Sequence, residues 1–255
     1  MTDEQRPDVV KVRGLRSSCA NCSLVQLCLP VALDGASIER LDEIVERKRP
    51  VQRGDHLYRA EDEFQAIYAV RSGALKTYTL TVGGEEQVVG FHLPGELIGL
   101  DAINDGRHPC GAVALETTSI CEIPFERLED LAGDIPGLQR QLLRIMSREI
   151  FADHEMLHAL AKRSAEERLA ILLLSLSDRF ARRGLSSSRF RLPMSRSDLS
   201  NYLGLAPETM SRLFRRFQEK GWASAAGKEV ILEDSRALRI LAGQRVDEET
   251  RYGRA

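Results

Sequence analysis

The sequence has no long hydrophobic run. Its longest unbroken apolar stretch, Leu169–Leu174, is six residues against the roughly 18 needed to cross a bilayer, so no transmembrane helix is expected. The start, Met1-Thr2-Asp3-Glu4, is acidic with no apolar segment behind it, and no secretory signal is expected either. Cysteine is scarce, at five in 255 residues, too few for a disulfide-dense scaffold. The chain is expected to be cytoplasmic, where thiols stay reduced and clustered cysteines read as metal ligands or redox groups. Strong net charge is also missing: 36 Lys/Arg against 38 Asp/Glu leave -2, which by itself points to no polyanionic partner. With 43% hydrophobic and 29% charged residues, disorder and collagen-like repeats are excluded, and the length favours two globular domains.

The distribution of charge says more than its sum. Between Arg179 and Trp222 stand ten Lys/Arg and three acidic residues, a local +7, the footprint of a nucleic-acid-binding module or of a solvated cationic face. Glycine is clustered too: nine of 19 fall in the 58 residues from Gly54 to Gly111. Between them lie short β-rich pieces such as Ala66–Val70 and Gln87–Phe91, a pattern that predicts an antiparallel roll or barrel. A helical stretch is expected at Ser37–Lys48, ahead of the roll.

Helical spacing takes over near Pro136, a residue tolerated in a helix's first turn. Leu143, Met146, Ile150, Asp153, Leu157 and Leu160 are spaced 3, 4, 3, 4, 3, the register of a coiled-coil seam. A helix packed on its own domain's core would show the same pattern. In a parallel dimer Asp153 would approach its symmetry mate, and that like-charge pair would weaken association. The seam therefore suits a switchable dimer.

Beyond Ser195 the pattern becomes specific. Ser195 can cap a helix carrying Leu199 and Leu203, Gly204 supplies a tight turn, and Pro207 begins a second helix that runs to Lys220 and ends at Gly221. This predicts a helix-turn-helix. Met210, Leu213, Phe214 and Phe217 form the apolar stripe of its second helix, leaving Glu208, Ser211, Arg212 and Arg215 on the other face. Arg donates to guanine in bidentate fashion, Glu accepts from cytosine, and Ser serves either role. Trp222–Leu232, around Gly227, reads as a short hairpin or wing.

Cys19, Cys22 and Cys28 bring three thiols onto one loop, and a tetrahedral sulfur site needs a fourth ligand from Cys121 or Cys110. Zinc would accept this spacing, and so would an iron-sulfur cluster.

The stretch NYLGLAPETMSRLFRRFQ, with SGALKTY, GFHLPGELIGL and ALETTSICEIPFERL upstream, resembles the FNR-type oxygen-sensing regulators of the CRP/FNR transcription-factor superfamily, in order and from Cys19 to about Gly243. The resemblance implies an α+β fold: an N-terminal antiparallel β-roll of jelly-roll or cupin-like form, a long dimerisation helix and a C-terminal winged helix-turn-helix. The boundaries expected are 1–30 for the ligand segment, 31–133 for the roll, 134–162 for the helix, 163–245 for the DNA-binding domain and 246–255 for a disordered tail. It implies a [4Fe-4S] cluster on Cys19, Cys22, Cys28 and Cys121, converted by O2 to a [2Fe-2S] form with loss of the dimer. Cys110 is left as a small buried hydrophobe. Glu208, Ser211 and Arg212 would read TTGAT-like half-sites of a palindrome, and Thr81–Glu86 would be a contact for RNA polymerase, unless it is only a solvated turn. One departure is Ala206, where the family has Ser or Thr capping the recognition helix.

Two rivals remain on the residues. His154-Glu155-Met156-Leu157-His158 is a literal H-E-x-x-H, which on a helix could bind zinc for hydrolysis, but it straddles the seam and has no evident third ligand, so no enzyme activity is expected. Within the superfamily, cyclic nucleotide is bound through a Gly-Glu-Leu segment followed by Arg and a small residue. Gly95-Glu96-Leu97 is present, yet the later stretch reads Arg107-His108-Pro109-Cys110, without the phosphate-holding pair. A regulator responding to another small effector, with a zinc or empty cysteine site, is the alternative.

Overall fold

The glycine-bounded strands form two facing sheets. The computed structural model describes residues 18–31 and 33–244; the expected tail at 246–255 lies outside them. After α1 (Gly35–Ile44) come β1 (His56–Tyr58), β2 (Ala66–Ser72), β3 (Leu75–Leu80), β4 (Glu86–His92), β5 (Leu97–Ile98), β6 (Gly111–Ala114) and β7 (Ser119–Pro124). They pair in the orders β1-β6-β3-β4 and β5-β2-β7, every pair antiparallel, which is the anticipated roll. Its interior is closed by Tyr58, Val70, Leu75, Ile98, Cys110, Ala112 and Ile120.

Helix α1 departs from the predicted Ser37–Lys48 at both ends. Asp34 accepts the Ser37 N–H and so caps the helix earlier. The chain leaves helical geometry at Val45 because Glu46 pairs with Glu122 on β7, its N–H donating at 2.8 Å.

α2 (Phe125–Asp134) leads into α3 (Pro136–Lys162), 27 residues with proline in its first turn. A second apolar core gathers here: Leu128, Leu131, Leu138 and Ile145 from these helices meet Leu29, Leu41, Ile67, Leu97 and Ile123. The cysteine loop lies on this core.

α4 (Ala165–Arg182) begins at a capping box, Ser164 taking the Glu167 N–H while Glu167 takes that of Ser164. Then follow β8 (Arg189–Arg191), α5 (Arg196–Tyr202), α6 (Pro207–Glu219), β9 (Ala223–Ala226), β10 (Glu229–Leu232) and α7 (Ser235–Leu241), with a β8-β10-β9 sheet. The apolar run Leu169–Leu174 wraps more than a full turn of α4, is buried at every position but Ile171, and shares a core with Leu199, Met210, Phe217 and Leu238. This core also takes in Val88, Phe91 and Leu93 of the roll, and Phe91 meets Tyr202 edge to face at 5.0 Å. The C-terminal domain is thereby docked on β4 of its own chain. Polar contacts fix the docking: Lys76 Nζ donates to Asp198 at 2.8 Å, and the Asn201 amide donates to the Glu86 carbonyl at 2.7 Å while its oxygen accepts the Val88 N–H at 2.6 Å.

Candidate metal centre and nucleic-acid interface

The four cysteines line one small apolar pocket. Cys19, Cys22 and Cys28 come from the loop before α1 and Cys121 from β7, and Leu24, Val25, Leu29, Leu41, Val45 and Ile123 complete the walls. The loop is wound in successive turns, with Cys22 donating to the Cys19 carbonyl and Cys28 to that of Leu24. Strand register places Cys121 opposite Ala69, on the same face of β7 as buried Ile123. All four are half-buried. Burial, with help from Asp42, pushes the Cys19 thiol up to about 12; burial does the same to Cys28 and raises Cys121, against the opposing guanidiniums of Arg47 and Arg71.

Sequence spacing missed the groups around the sulfurs. Asp42 on α1 accepts the Cys19 N–H at 2.8 Å and pairs with Arg47, whose guanidinium reaches to 3.8 Å from Cys19 Sγ. Gln141, buried on α3, donates to the Cys28 carbonyl at 3.4 Å and ties the loop to the long helix. Cys110 stands apart: it is buried in the roll and donates to Asp101 at 3.3 Å. Among the described residues no three His, Cys, Asp or Glu side chains are gathered closely enough to close on a single metal ion.

The helix-turn-helix is built from local signals. Ser195 caps α5 in a reciprocal box with Asp198, Gly204 turns the chain at φ +62°, which a side chain would oppose, and Pro207 opens α6. α6 ends at Glu219, with Lys220 as its C-cap. Met210, Leu213, Phe214 and Phe217 are buried, while Glu208, Ser211, Arg212 and Arg215 are exposed together on the opposite face. β9 and β10 form the hairpin expected after it. Ala206 caps α6 with no side-chain hydrogen bond.

The local +7 is not one DNA-facing patch. Arg179 and Arg183 point to the roll, Arg196 stacks 3.5 Å over the Phe214 ring, and Arg216 and Lys220 pair with Glu166.

On α3, Leu143, Ile150 and Leu157 are exposed at 59%, 54% and 66%. Asp153 is exposed among them, and Met146 and Leu160 are half-buried. Within one chain this stripe has little to pack on, unlike the buried inner face at Leu138, Gln141, Ile145 and Ala159. His154, Glu155 and His158 are exposed on the same helix.

Glu96, in the Gly95-Glu96-Leu97 segment, is engaged by groups of its own chain. The Glu96 carboxylate accepts from Arg179 at 2.9 Å, from Arg183 at 2.6 Å and from the Leu93 N–H at 2.9 Å. Tyr58 stacks on buried His108 with ring centroids 3.7 Å apart, and Tyr68 lies against Tyr58 at 5.8 Å. These rings occupy the interior of the roll.

Two family descriptions match the chain: a cyclic nucleotide-binding domain over residues 48–134 and a Crp-like helix-turn-helix domain over residues 167–241. The transcriptional activator protein FnrA of Stutzerimonas stutzeri is 53% identical over 239 residues, 93% of this chain and 98% of that protein. The fumarate and nitrate reduction regulatory protein of Escherichia coli is 50% identical over 230 residues, 90% and 92% of the two chains. Among solved structures, FixK2 from Bradyrhizobium japonicum superposes with a TM-score of 0.71 at 27% identity, covering 80% of this chain and 99% of that one. Among the described residues no helix is long and apolar enough to cross a membrane. With a roll, a long helix and an exposed recognition helix in this order, and with half its residues shared with these regulators along nearly its whole length, the chain belongs to the FNR-type DNA-binding transcription regulators of the CRP/FNR superfamily.

Proposed function

We propose that this regulator senses oxygen through a [4Fe-4S] cluster on Cys19, Cys22, Cys28 and Cys121. With the cluster intact it binds as a homodimer to palindromic DNA with TTGAT-like half-sites, and oxygen inactivates it. The observation that carries this reading is the convergence of three loop thiols and one strand thiol on a single apolar pocket. The donor set fits: four sulfurs select zinc or iron-sulfur, and a tetrahedral zinc holds all four within about 2.3 Å of one point. A cubane gives each thiolate its own iron, so its four sulfurs need not converge on one point. Arg47 and Arg71 beside the pocket offset the negative charge of four thiolates. When bound, the cluster supplies what zinc lacks, reactivity toward O2.

The chain's own residues then divide the work. Cys28 is tied through its carbonyl to Gln141, so a change in the loop reaches α3. Leu143, Met146, Ile150, Leu157 and Leu160 provide the dimer seam, with Asp153 keeping it marginal. Glu208, Ser211 and Arg212 read bases, and Arg215 lies beside them on the exposed face. The solvent-exposed hairpin tip Thr81–Glu86 is available to RNA polymerase. We assign 1–30 to the ligand segment, 31–133 to the roll, 134–162 to the dimer helix and 163–245 to DNA binding, in a cytoplasmic protein whose thiols stay reduced. Cyclic nucleotide is a poor effector here, because Glu96 is bound to two arginines and aromatic rings fill the roll.

Anaerobic purification with iron, sulfide and zinc analysis tests this. About four irons and four sulfides per chain, lost in Cys121→Ser and retained in Cys110→Ser, is the expected result. Stoichiometric zinc, or no metal, would return the sensor half to an unknown effector.

A further inference from the structure

The loop between Cys22 and Cys28 does more than carry sulfur. Leu27 donates its N–H to the Leu24 carbonyl at 2.9 Å, and this turn seats the Leu27 side chain on Gly95. The seat is close: a Cβ on Gly95 would lie 2.8 Å from Leu27 Cβ. Gly95 also has φ +90°, so both the conformation and the contact require glycine. The Gly95 N–H donates to Val70 at 2.7 Å and the Val70 N–H to Glu96 at 3.0 Å, which pins the turn to β2.

The far side of the same turn is gripped by α4. Besides the three bonds from Arg179 and Arg183 to Glu96, Arg183 donates to the Pro94 carbonyl at 2.7 Å and Arg179 to that of Phe91. Arg183 is only 6% exposed and Glu96 20%, so the charges have little water to fall back on, and separating them is costly. At its other end α4 reaches the DNA-reading element, where Arg168 donates to the Leu203 carbonyl at 3.0 Å, just before the Gly204 turn.

We propose that the Pro94–Gly95–Glu96 turn is a positioning element that carries the conformation of the cysteine loop to the DNA-binding domain within one chain, through Leu27 on one side and Arg179 and Arg183 on the other. This route is distinct from the dimer helix. Its physiological meaning rests on the cluster reading above, because it assumes that cluster loss rearranges the loop. The contact itself is made by atoms of the chain alone. When Leu27 leaves Gly95, the turn loses its outer support, Glu96 loosens, and α4 with the helix-turn-helix is freed from the roll.

Hydrogen exchange on the full chain tests this, in anaerobic iron-loaded and metal-free protein, for the wild type, Leu27→Ala and Leu27→Met. In iron-loaded protein, or in the protein as isolated if it takes up no iron, Leu27→Ala is expected to raise exchange at the end of α4, Phe180–Leu185, by roughly tenfold, while Leu27→Met, which keeps the contact, stays near the wild type. Glu96→Gln should raise the same amides without touching the loop. Removing iron from the wild type should do so as well. Unchanged exchange at Phe180–Leu185 in both Leu27→Ala and Glu96→Gln overturns the link. A response in Glu96→Gln alone overturns it too, since the loop would then not be part of it. If the chain takes up no iron, the cluster reading fails, and the Leu27 comparison still decides the link.

Discussion

Glu96 in the roll and Arg183 on α4 meet at 2.6 Å across 87 residues of chain. Burial alone would push the Glu96 carboxyl up, but Arg179 and Arg183 outweigh it and bring it down to about 2. A carboxyl held low contributes stability that is present above its unfolded value and lost as pH falls through the folded one. Glu96→Gln should therefore destabilise the protein by about 3 kcal/mol near neutral pH, where it strands two arginines. Urea unfolding at a series of pH values checks this. The gap between wild type and variant should hold above about pH 5 and close toward pH 2; a gap that is constant with pH would show that the carboxylate's charge is not what holds the domains.

The recognition helix presents Arg212 to solvent with only weak contacts to Glu208 and Thr209 of its own helix, leaving the guanidinium free for a base edge. Arg212→Ala should cost about 1 to 3 kcal/mol and relax preference at one position of each half-site. Binding to a panel of single-base operator variants is the measurement. Equal weakening on every sequence would make Arg212 a phosphate contact instead.

In the α3 stripe, Asp153 is the one acidic residue among exposed Leu143, Ile150 and Leu157. If it is what keeps the dimer marginal, Asp153→Ala should sediment as a dimer in air, where the wild type is expected to be a monomer. A monomeric variant under aerobic conditions would remove the argument from charge repulsion.

Ala206 leaves the first N–H groups of α6 without a side-chain cap. Ala206→Ser should raise stability by about 1 kcal/mol, read as a shift in the thermal midpoint. No gain would mean that those groups are already satisfied by solvent.

Much of this arrangement is written in local signals. Ser195, Gly204 and Pro207 each mark a cap, a turn or a first helical residue by their own chemistry, so the helix-turn-helix is legible in a single stretch. The apolar stripe of α6 follows the 3.6-residue period and is buried as expected. What was not legible depends on distant partners. Arg179 and Arg183 read as part of a basic DNA-binding segment, yet Glu96, 83 and 87 residues away, draws them to the roll. β8 is three residues long, too short for a pattern, and exists because β10 lies beside it. The end of α1 was set by a bridge to β7, and the environment of the sulfurs by Arg47, Arg71 and Gln141, none of which has a fixed spacing from the cysteines.

The most direct test is sedimentation of one anaerobic, iron-loaded sample with a duplex carrying two TTGAT half-sites, before and after air is admitted. The account predicts a dimer on DNA that bleaches, releases the duplex and falls to monomer. A bleached protein that stays dimeric and bound would contradict it.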